Sequence, residues 1–181
     1  MDDAPSIARS LPDADIDADL ADARASIDDP SAFEAIYRRH RLSVYRYARS
    51  RTTSEDAALE LTAATFERAL RSIDGFRPRG GGMAAWLLRI ARNAAIDEGR
   101  RAARRPVVAL DAEASAGPDA AAELRMLVAG LPERQREAIE LRYTAGLSAR
   151  EIGTVLSISE GAAQKHLERA LHALREAYRD D

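Results

Sequence analysis

Apolar residues recur every three or four positions along the first half of the chain, which is the spacing of one buried face of an α-helix. This spacing predicts three helices. The first begins near Ser31, which has the spacing of a capping box with Glu34, and the second begins near Ser54. Gly75, Pro78 and three successive glycines break the pattern before the third helix. The buried side of the third helix is predicted to comprise Met83, Trp86, Leu87, Ile90, Ala91 and Ala94.

Four shorter helices are predicted in the second half, separated by turn signals. The first ends near Leu131, where Pro132 suits the first turn of the next helix. Ser148 and Glu151 form a capping box that opens a short third helix. After a turn over residues 157–159, Ser159 caps a long last helix. No alternation typical of a β-strand is visible, so the pattern predicts an all-α fold.

The order of these elements predicts two small helical domains joined by a flexible linker. We expect residues 1–30 to form an acidic, disordered tail, because they are rich in Asp and Ala and show little apolar periodicity. Residues 31–106 form the first domain. Residues 107–121 form the linker, which lets the domains sit apart. Residues 122–181 form the second domain.

The distribution of charge along the chain indicates what kind of partner the protein binds. The net charge is −3, but residues 1–30 hold nine Asp against two Arg, whereas residues 31–106 hold sixteen Arg against eight acidic residues. A basic block in an acidic chain indicates a polyanionic partner. The acidic tail has two interpretations: a solvated extension, or an arm that competes with DNA for this block.

The remaining composition excludes several function classes. The absence of cysteine excludes disulfides, thiolate metal sites and a cysteine nucleophile. His166 and His172 are six positions apart, which does not place two metal ligands on one helical face. Acidic pairs such as Glu133 and Glu137 are expected to be solvated. The N-terminus lacks a signal peptide and no apolar run is long enough to span a bilayer. We therefore expect a cytoplasmic protein that is not an enzyme and has no cofactor or metal.

The segment 148–172 has the layout of a helix-turn-helix. Two capped helices are separated by a three-residue turn, and Gly153 and Ala163 are small enough for the helices to approach closely. The second helix begins at Ser159, where free backbone N–H groups and the positive end of the helix dipole are suited to binding a phosphate. Its outward side offers hydrogen-bonding groups to base edges or phosphates: Gln164, Lys165, Glu168 and Arg169. The alternative is a plain helical hairpin.

A second candidate site surrounds Trp86. Aromatic rings stack on unpaired bases while arginines follow the backbone. The arginines near Trp86 in the sequence are Arg77, Arg79, Arg89, Arg92, Arg100 and Arg101. The alternative is that Trp86 belongs to the core and the arginines form a solvated face.

Both segments resemble a known family. Residues 86–97 read WLLRIARNAAID and closely resemble sigma region two. Residues 131–138 read LPERQREA and, with the stretch 147–169, resemble sigma region four. No room remains between them for a region three. This spacing is similar to that of the extracytoplasmic-function RNA polymerase sigma factors, and the resemblance covers about residues 31–178.

The resemblance implies binding to core RNA polymerase, recognition of the minus-thirty-five promoter element by region four, and capture and melting of the minus-ten element by region two. It also implies an anti-sigma protein as a partner. The positions implied for minus-thirty-five DNA are Arg150, Ser159, Gln164, Lys165 and Arg169. Those implied for minus-ten DNA are Arg89, Asn93 and the loop 73–83, which contains Arg77 and Arg79. Trp86 and Arg100 are added to this predicted site from the arginine cluster around Trp86. Those implied for docking on polymerase are Glu60, Leu61 and Ala64.

Three departures from the family pattern bear on these expectations. Ala63 and Ala64 replace a Gln and a Glu of the polymerase-docking helix. Ser157 stands where the turn usually has Gly, a modest cost if this residue needs a positive φ. The recognition helix is less basic than usual. The first departure keeps a second hypothesis open: a sigma-derived regulator that binds DNA or a partner protein without supporting initiation.

Overall fold

The computed structural model describes residues 13–78, 81–102 and 120–179, and over these residues it contains eight α-helices and no strand. The prediction of an all-α fold is confirmed. Short 3₁₀ turns lie at Pro30–Ala32 and Ile73–Gly75. The helices are α1 (Asp13–Asp28), α2 (Phe33–Arg51), α3 (Glu55–Arg71), α4 (Gly82–Ala102), α5 (Ala120–Ala129), α6 (Glu133–Tyr143), α7 (Ala149–Leu156) and α8 (Glu160–Arg179).

Helices α2, α3 and α4 pack against one another as the predicted three-helix unit. Ser54 caps α3, because its Oγ accepts a hydrogen bond from the Ala57 amide at 3.2 Å. The Phe66 ring makes edge-to-face contacts with Phe33 and Tyr37, with ring centroids 6.3 and 4.8 Å apart. The fully buried centre of the unit consists of Ile36, Val44, Tyr47, Ala69, Met83, Leu87 and Leu88.

The expectation of a disordered tail over residues 1–30 is wrong for residues 13–28, which form α1 and pack on α2 and α4. The apolar stripe of α1 is interrupted by the buried polar residues Asp19 and Ser26, so periodicity alone does not reveal it. Asp19 pairs with Arg39 and His40, which lie about twenty residues further along the chain. Residues 1–12 lie outside the described residues.

The start of α2 also differs from the prediction. The Asp29 carboxylate accepts a hydrogen bond from the Ser31 amide at 2.9 Å and so caps the 3₁₀ turn. Ala32 is the N-cap residue of α2, and its methyl side chain cannot accept a hydrogen bond. The predicted capping box of Ser31 and Glu34 is therefore wrong, because Asp29 supplies the cap one turn earlier.

Helices α6, α7 and α8 pack together, and α5 lies along α8. The capping box of Ser148 and Glu151 is confirmed: the Ser148 Oγ accepts from the Glu151 amide at 3.3 Å, and a Glu151 carboxylate oxygen accepts from the Ser148 amide at 2.7 Å. The core of this half includes Leu131, Ala138, Ile139, Leu141, Leu147, Ile152, Val155, Leu156, Ala163, Leu167 and Ala170.

The two halves of the molecule are in contact. Helix α4 packs against α7, α2 touches α6, and one apolar cluster runs through both halves. The domains therefore do not sit apart in this structure. The expected linker over residues 107–121 lies almost wholly outside the described residues, and α5 begins at Ala120. The predicted domain boundaries remain predictions.

Candidate nucleic-acid interface

A tight turn joins α7 to α8. Ser157 has φ 58° and ψ 46°, in the left-handed region, and ends α7. The Gly153 carbonyl accepts a hydrogen bond from the Ile158 amide at 2.9 Å. A Cβ placed on Gly153 would lie 2.8 Å from the Ile158 carbonyl oxygen, so only glycine fits this crossing. These contacts fix the angle between α7 and α8 in the predicted helix-turn-helix.

The residues expected at the minus-thirty-five element lie on the two helices of this motif. Gln164, Lys165 and Arg169 are exposed on α8, and Arg150 is exposed on α7. The exposed Ser159 accepts a hydrogen bond from the Ala162 amide at 3.2 Å, so its hydroxyl caps the first turn of α8. The first turns of α8 thus present a carboxamide, an ammonium and a guanidinium to solvent.

The positive charge of α8 is partly offset within the helix. The Gln164 amide nitrogen donates to a Glu168 carboxylate oxygen at 3.0 Å. This bond orients the Gln164 carboxamide and adds a carboxylate to the same exposed side of α8. The exposed side of α8 is therefore polar and only mildly cationic, as the sequence predicted.

The expected minus-ten residues divide into an exposed set and a buried one. Arg89, Asn93 and Arg100 are exposed along α4. The exposed Arg77 donates through Nη1 to the carbonyl oxygens of Asp74 and Phe76, both at 2.8 Å, and so braces the loop before α4. Arg79 lies outside the described residues.

Trp86 belongs to the core rather than to the exposed set. Its side chain is only 9% exposed, and its ring packs on Phe76 with the centroids 5.3 Å apart and the planes inclined by 58°. In this arrangement little of the Trp86 ring is open for stacking on unpaired bases, and its contact with minus-ten DNA stays a prediction. The alternative that Trp86 is a core residue is supported.

Arg92 does not face solvent either, because it reaches across to the second half. Its Nε donates to Glu137 Oε1 at 2.8 Å and its Nη2 donates to Glu137 Oε2 at 3.2 Å. The Glu137 side chain is 1% exposed, so the expectation that Glu137 is solvated is wrong. This pairing cannot be predicted from local spacing, since the two residues are 45 positions apart.

A second ion pair lies in the same interface. Arg51 Nη1 of α2 is 3.2 Å from Glu140 Oε2 of α6. Burial raises the pKa of the Glu140 carboxyl, and the charge of Arg51 opposes that shift. Tyr47 is fully buried in the same region, and its hydroxyl has no hydrogen-bond partner among the described residues. The interface therefore combines apolar packing with two buried ion pairs.

The expected polymerase-docking residues lie on α3 with different exposures. Glu60 is exposed, Ala64 is half-buried, and Leu61 is buried against Ala48 and Ala94. The Leu61 side chain therefore supports the helix from within. The outward face of α3 instead presents Leu59, which is 50% exposed and which the sequence reasoning did not single out.

The described residues contain neither a metal-binding cluster nor a membrane-spanning helix. Within residues 13–78, 81–102 and 120–179, no group of three or more His, Cys, Asp or Glu side chains is arranged to hold a metal ion. None of the helices in these ranges is both long and apolar enough to cross a membrane.

Comparison with known proteins identifies the family of the chain. The model of sigma-70 region 2 matches residues 36–105, and the model of sigma-70 region 4 matches residues 121–174. The ECF RNA polymerase sigma factor BldN of Streptomyces coelicolor is 34% identical over 170 residues, which cover 87% of this chain and 64% of BldN. The chain thus spans less than two thirds of the length of BldN.

Two other relatives match over most of their length. The ECF RNA polymerase sigma factor SigM of Mycobacterium tuberculosis is 32% identical over 160 residues, which cover 85% of this chain and 80% of SigM. The structure of CnrH, solved in complex with the cytosolic domain of CnrY, superposes with a TM-score of 0.69 and 26% identity, over 90% of this chain and 97% of CnrH. Because both regions match in the predicted order and SigM aligns over most of both proteins, the chain belongs to the extracytoplasmic-function (ECF) family of RNA polymerase sigma factors.

Proposed function

We propose that this protein is a promoter-specificity subunit of RNA polymerase. It binds the core enzyme, recognises the minus-thirty-five element through α7 and α8, captures the minus-ten element through the loop before α4 and the exposed side of α4, and promotes promoter opening. CnrH is solved with a partner chain, and we propose that this protein likewise has a sequestering partner, an anti-sigma protein.

The observation that carries this proposal is the exposed start of α8. Gln164, Lys165 and Arg169 project from a helix whose angle is fixed by the tight turn at Gly153. A helix held in this way can enter the major groove, where Gln and Arg side chains read base edges and Lys holds phosphates. Because the surface is only mildly cationic, this half positions the protein rather than supplying most of the affinity.

Promoter opening in this proposal requires binding only, and no bond is made or broken. Arg89, Asn93 and Arg100 form an exposed polar row along α4, and Arg77 braces the adjoining loop. Arginines of this kind attract the phosphates of a single strand. Stabilising the unpaired strand shifts the equilibrium of the duplex towards the open state.

Binding both elements at once requires a more extended arrangement than the one described here. The elements are about 25 base pairs apart, which is roughly 85 Å at about 3.4 Å per step. A compact chain of 181 residues has a radius of gyration of about 16 Å. We propose that the contact between α4 and α7 opens when the protein engages polymerase and promoter.

Run-off transcription tests the proposal, with purified core polymerase and a template that carries the promoter upstream of the protein's own gene. We expect a transcript that depends on the protein. Promoter binding without a transcript would instead support a sigma-derived regulator, the second hypothesis that Ala63 and Ala64 keep open.

A pair of variants tests the assignment of α8. Replacing both Lys165 and Arg169 by Ala is expected to weaken binding to the minus-thirty-five duplex about tenfold or more and to reduce the dependence on salt. Arg175→Ala is the matched control, because Arg175 is exposed on the same helix further from its start. Equal effects of the double variant and the control would contradict the assignment.

A further inference from the structure

Helix α1 is strongly acidic and lies beside the loop proposed to hold the minus-ten strand. Its sixteen residues contain six Asp and one Arg. It packs on α2, on α4 and on the 3₁₀ turn Ile73–Gly75, which begins that loop. At the other end of the loop, a Cβ placed on Gly82 would lie 3.9 Å from Ile16 Cγ1. Helix α1 therefore touches both ends of the loop.

The position of α1 is fixed by buried polar contacts. His40 Nε2 lies 3.0 Å from both carboxylate oxygens of Asp19, and Arg39 donates to the same carboxylate. Arg39 also donates through Nη2 to Asp22 at 3.0 Å. Asp19 and His40 are 1% and 4% exposed, so this anchor is inside the protein. Two carboxylates of α1 thus engage one guanidinium of the basic first half.

This placement has an electrostatic consequence for DNA. A single strand entering the loop brings phosphates towards an acidic helix, on which Asp19 and Asp22 are paired with Arg39 while Asp17 is exposed at the end near Gly82. Repulsion between like charges in water acts over about 10 Å at an ionic strength of 0.1 M. The end of α1 that contains Ile16 lies within that distance of Gly82. The arginines of α4 attract the strand while α1 opposes its approach.

We propose that α1 is an electrostatic shield that lowers the affinity of the first half for unpaired promoter DNA until polymerase or a correct promoter compensates. The inference rests on the proposed role of the loop and α4 in holding the strand. It assigns to the acidic segment a role that can be measured in the free protein, without polymerase. It also predicts that the effect is local to the end of α1 near Gly82.

Two charge reversals at opposite ends of α1 test the locality. Asp17 is exposed and adjoins Ile16, whereas Asp28 is exposed at the far end, eleven residues or about 16 Å along the helix. Asp17→Arg and Asp28→Arg change the net charge equally. The assay is the fluorescence anisotropy of a labelled single-stranded oligothymidine mixed with the full chain at an ionic strength of about 0.1 M.

We expect Asp17→Arg to raise the affinity about threefold or more and Asp28→Arg to raise it less than about 1.5-fold, with the difference vanishing at 1 M salt. Equal effects of the two variants, or no effect of either, would overturn the proposal. The assay contains no polymerase, so a failure of run-off transcription would leave its result intact. Circular dichroism confirms that both variants keep the wild-type helix content.

Releasing the anchor provides an independent test. Asp19→Asn removes the charge that Arg39 and His40 engage, so the α1 amides are expected to exchange hydrogen faster while α2 to α4 stay protected. We expect the affinity for the same oligonucleotide to rise in this variant. If α1 opens and the affinity stays at the wild-type value, α1 is not a shield.

Discussion

Arg92 of α4 and Glu137 of α6 form a two-point ion pair that joins the two halves of the molecule. The guanidinium donates from Nε and Nη2 to the two carboxylate oxygens at 2.8 and 3.2 Å. The side chains are 16% and 1% exposed, so the pair is largely removed from water. Each charge is tolerated in this interface only because the other one is present.

We expect Arg92→Met to lower the free energy of unfolding by about 3 kcal/mol, because the Glu137 carboxylate is left buried without its main partner. Arg134 remains 3.6 Å from that carboxylate and limits the loss. Urea denaturation followed by circular dichroism measures the change. Small-angle scattering is expected to show a larger radius of gyration as the halves separate.

Two variants control this experiment. Glu34→Gln breaks the exposed pair with Arg38 and is expected to change stability by less than about 0.5 kcal/mol. Replacing both Arg92 and Glu137 by Met removes both charges and is expected to recover most of the loss. If the double variant is less stable than Arg92→Met alone, the buried carboxylate is not the cause of the loss.

The close crossing of α7 and α8 predicts that any side chain at Gly153 lowers the stability of the protein. In Gly153→Ala the new Cβ would meet the Ile158 carbonyl oxygen at 2.8 Å, so the turn must shift. We expect a loss of about 2 kcal/mol in stability and weaker binding to duplex DNA. Thermal unfolding and a mobility-shift assay measure the two effects.

Gly161→Ala is the matched control, because a Cβ there would meet nothing within 4 Å. Gly161 lies in the first turn of α8, where alanine favours the helix. We expect unchanged or slightly higher stability. A similar loss from both glycine replacements would argue against a specific crossing contact.

The backbone of Ser157 predicts a stabilising substitution. Its φ of 58° lies in the left-handed region, which glycine adopts without the steric cost that serine incurs. Ser157→Gly is expected to raise the free energy of unfolding by only about 0.5 kcal/mol, because the greater freedom that glycine gives the unfolded chain offsets part of the steric gain in the folded state. Gly146→Ala tests the reverse at a φ of 74° and is expected to lower it by about 1 kcal/mol. Denaturant titrations measure both changes. A higher free energy of unfolding for Gly146→Ala would contradict this account.

Local signals in the sequence were sufficient for the helix-turn-helix. The cap at Ser148, the small residue at Gly153 and the cap at Ser159 each act within a few positions, so the spacing of the residues carries the information. The exposed positions of α8 follow from the same periodicity. This is why Gln164 and Arg169 were placed correctly on its outward side.

Distant pairing could not be predicted in the same way. Asp19 is buried because Arg39 and His40 meet it, and Glu137 is buried because Arg92 does. An acidic residue whose partner is distant in the sequence is expected to be solvated. The sequence pattern therefore predicts neither the packing of α1 nor the interface between the two halves. The arginines near Trp86 in the sequence suggest a role in DNA binding, whereas the periodicity of α4 predicts a core position, and the structure agrees with the periodicity.

The buried hydroxyl of Tyr47 predicts a gain in stability when it is removed. The hydroxyl has no hydrogen-bond partner in the part of the chain that is described, and burial of an unpaired hydroxyl costs free energy. Tyr47→Phe keeps the ring and is expected to raise the free energy of unfolding by about 1 kcal/mol at neutral pH. Tyr143→Phe is the control, because Tyr143 is half exposed.

The difference between wild type and Tyr47→Phe is also expected to depend on pH. Burial raises the pKa of Tyr47 above the usual value of 10.0, so the folded protein keeps the phenol protonated where the unfolded chain ionises. The wild type therefore loses stability as the pH rises above about 10, whereas the variant loses none from this group. Urea denaturation of both proteins between about pH 8 and pH 11 measures the gap. We expect the advantage of Tyr47→Phe to grow with pH, and a constant gap would mean that the Tyr47 hydroxyl reaches solvent.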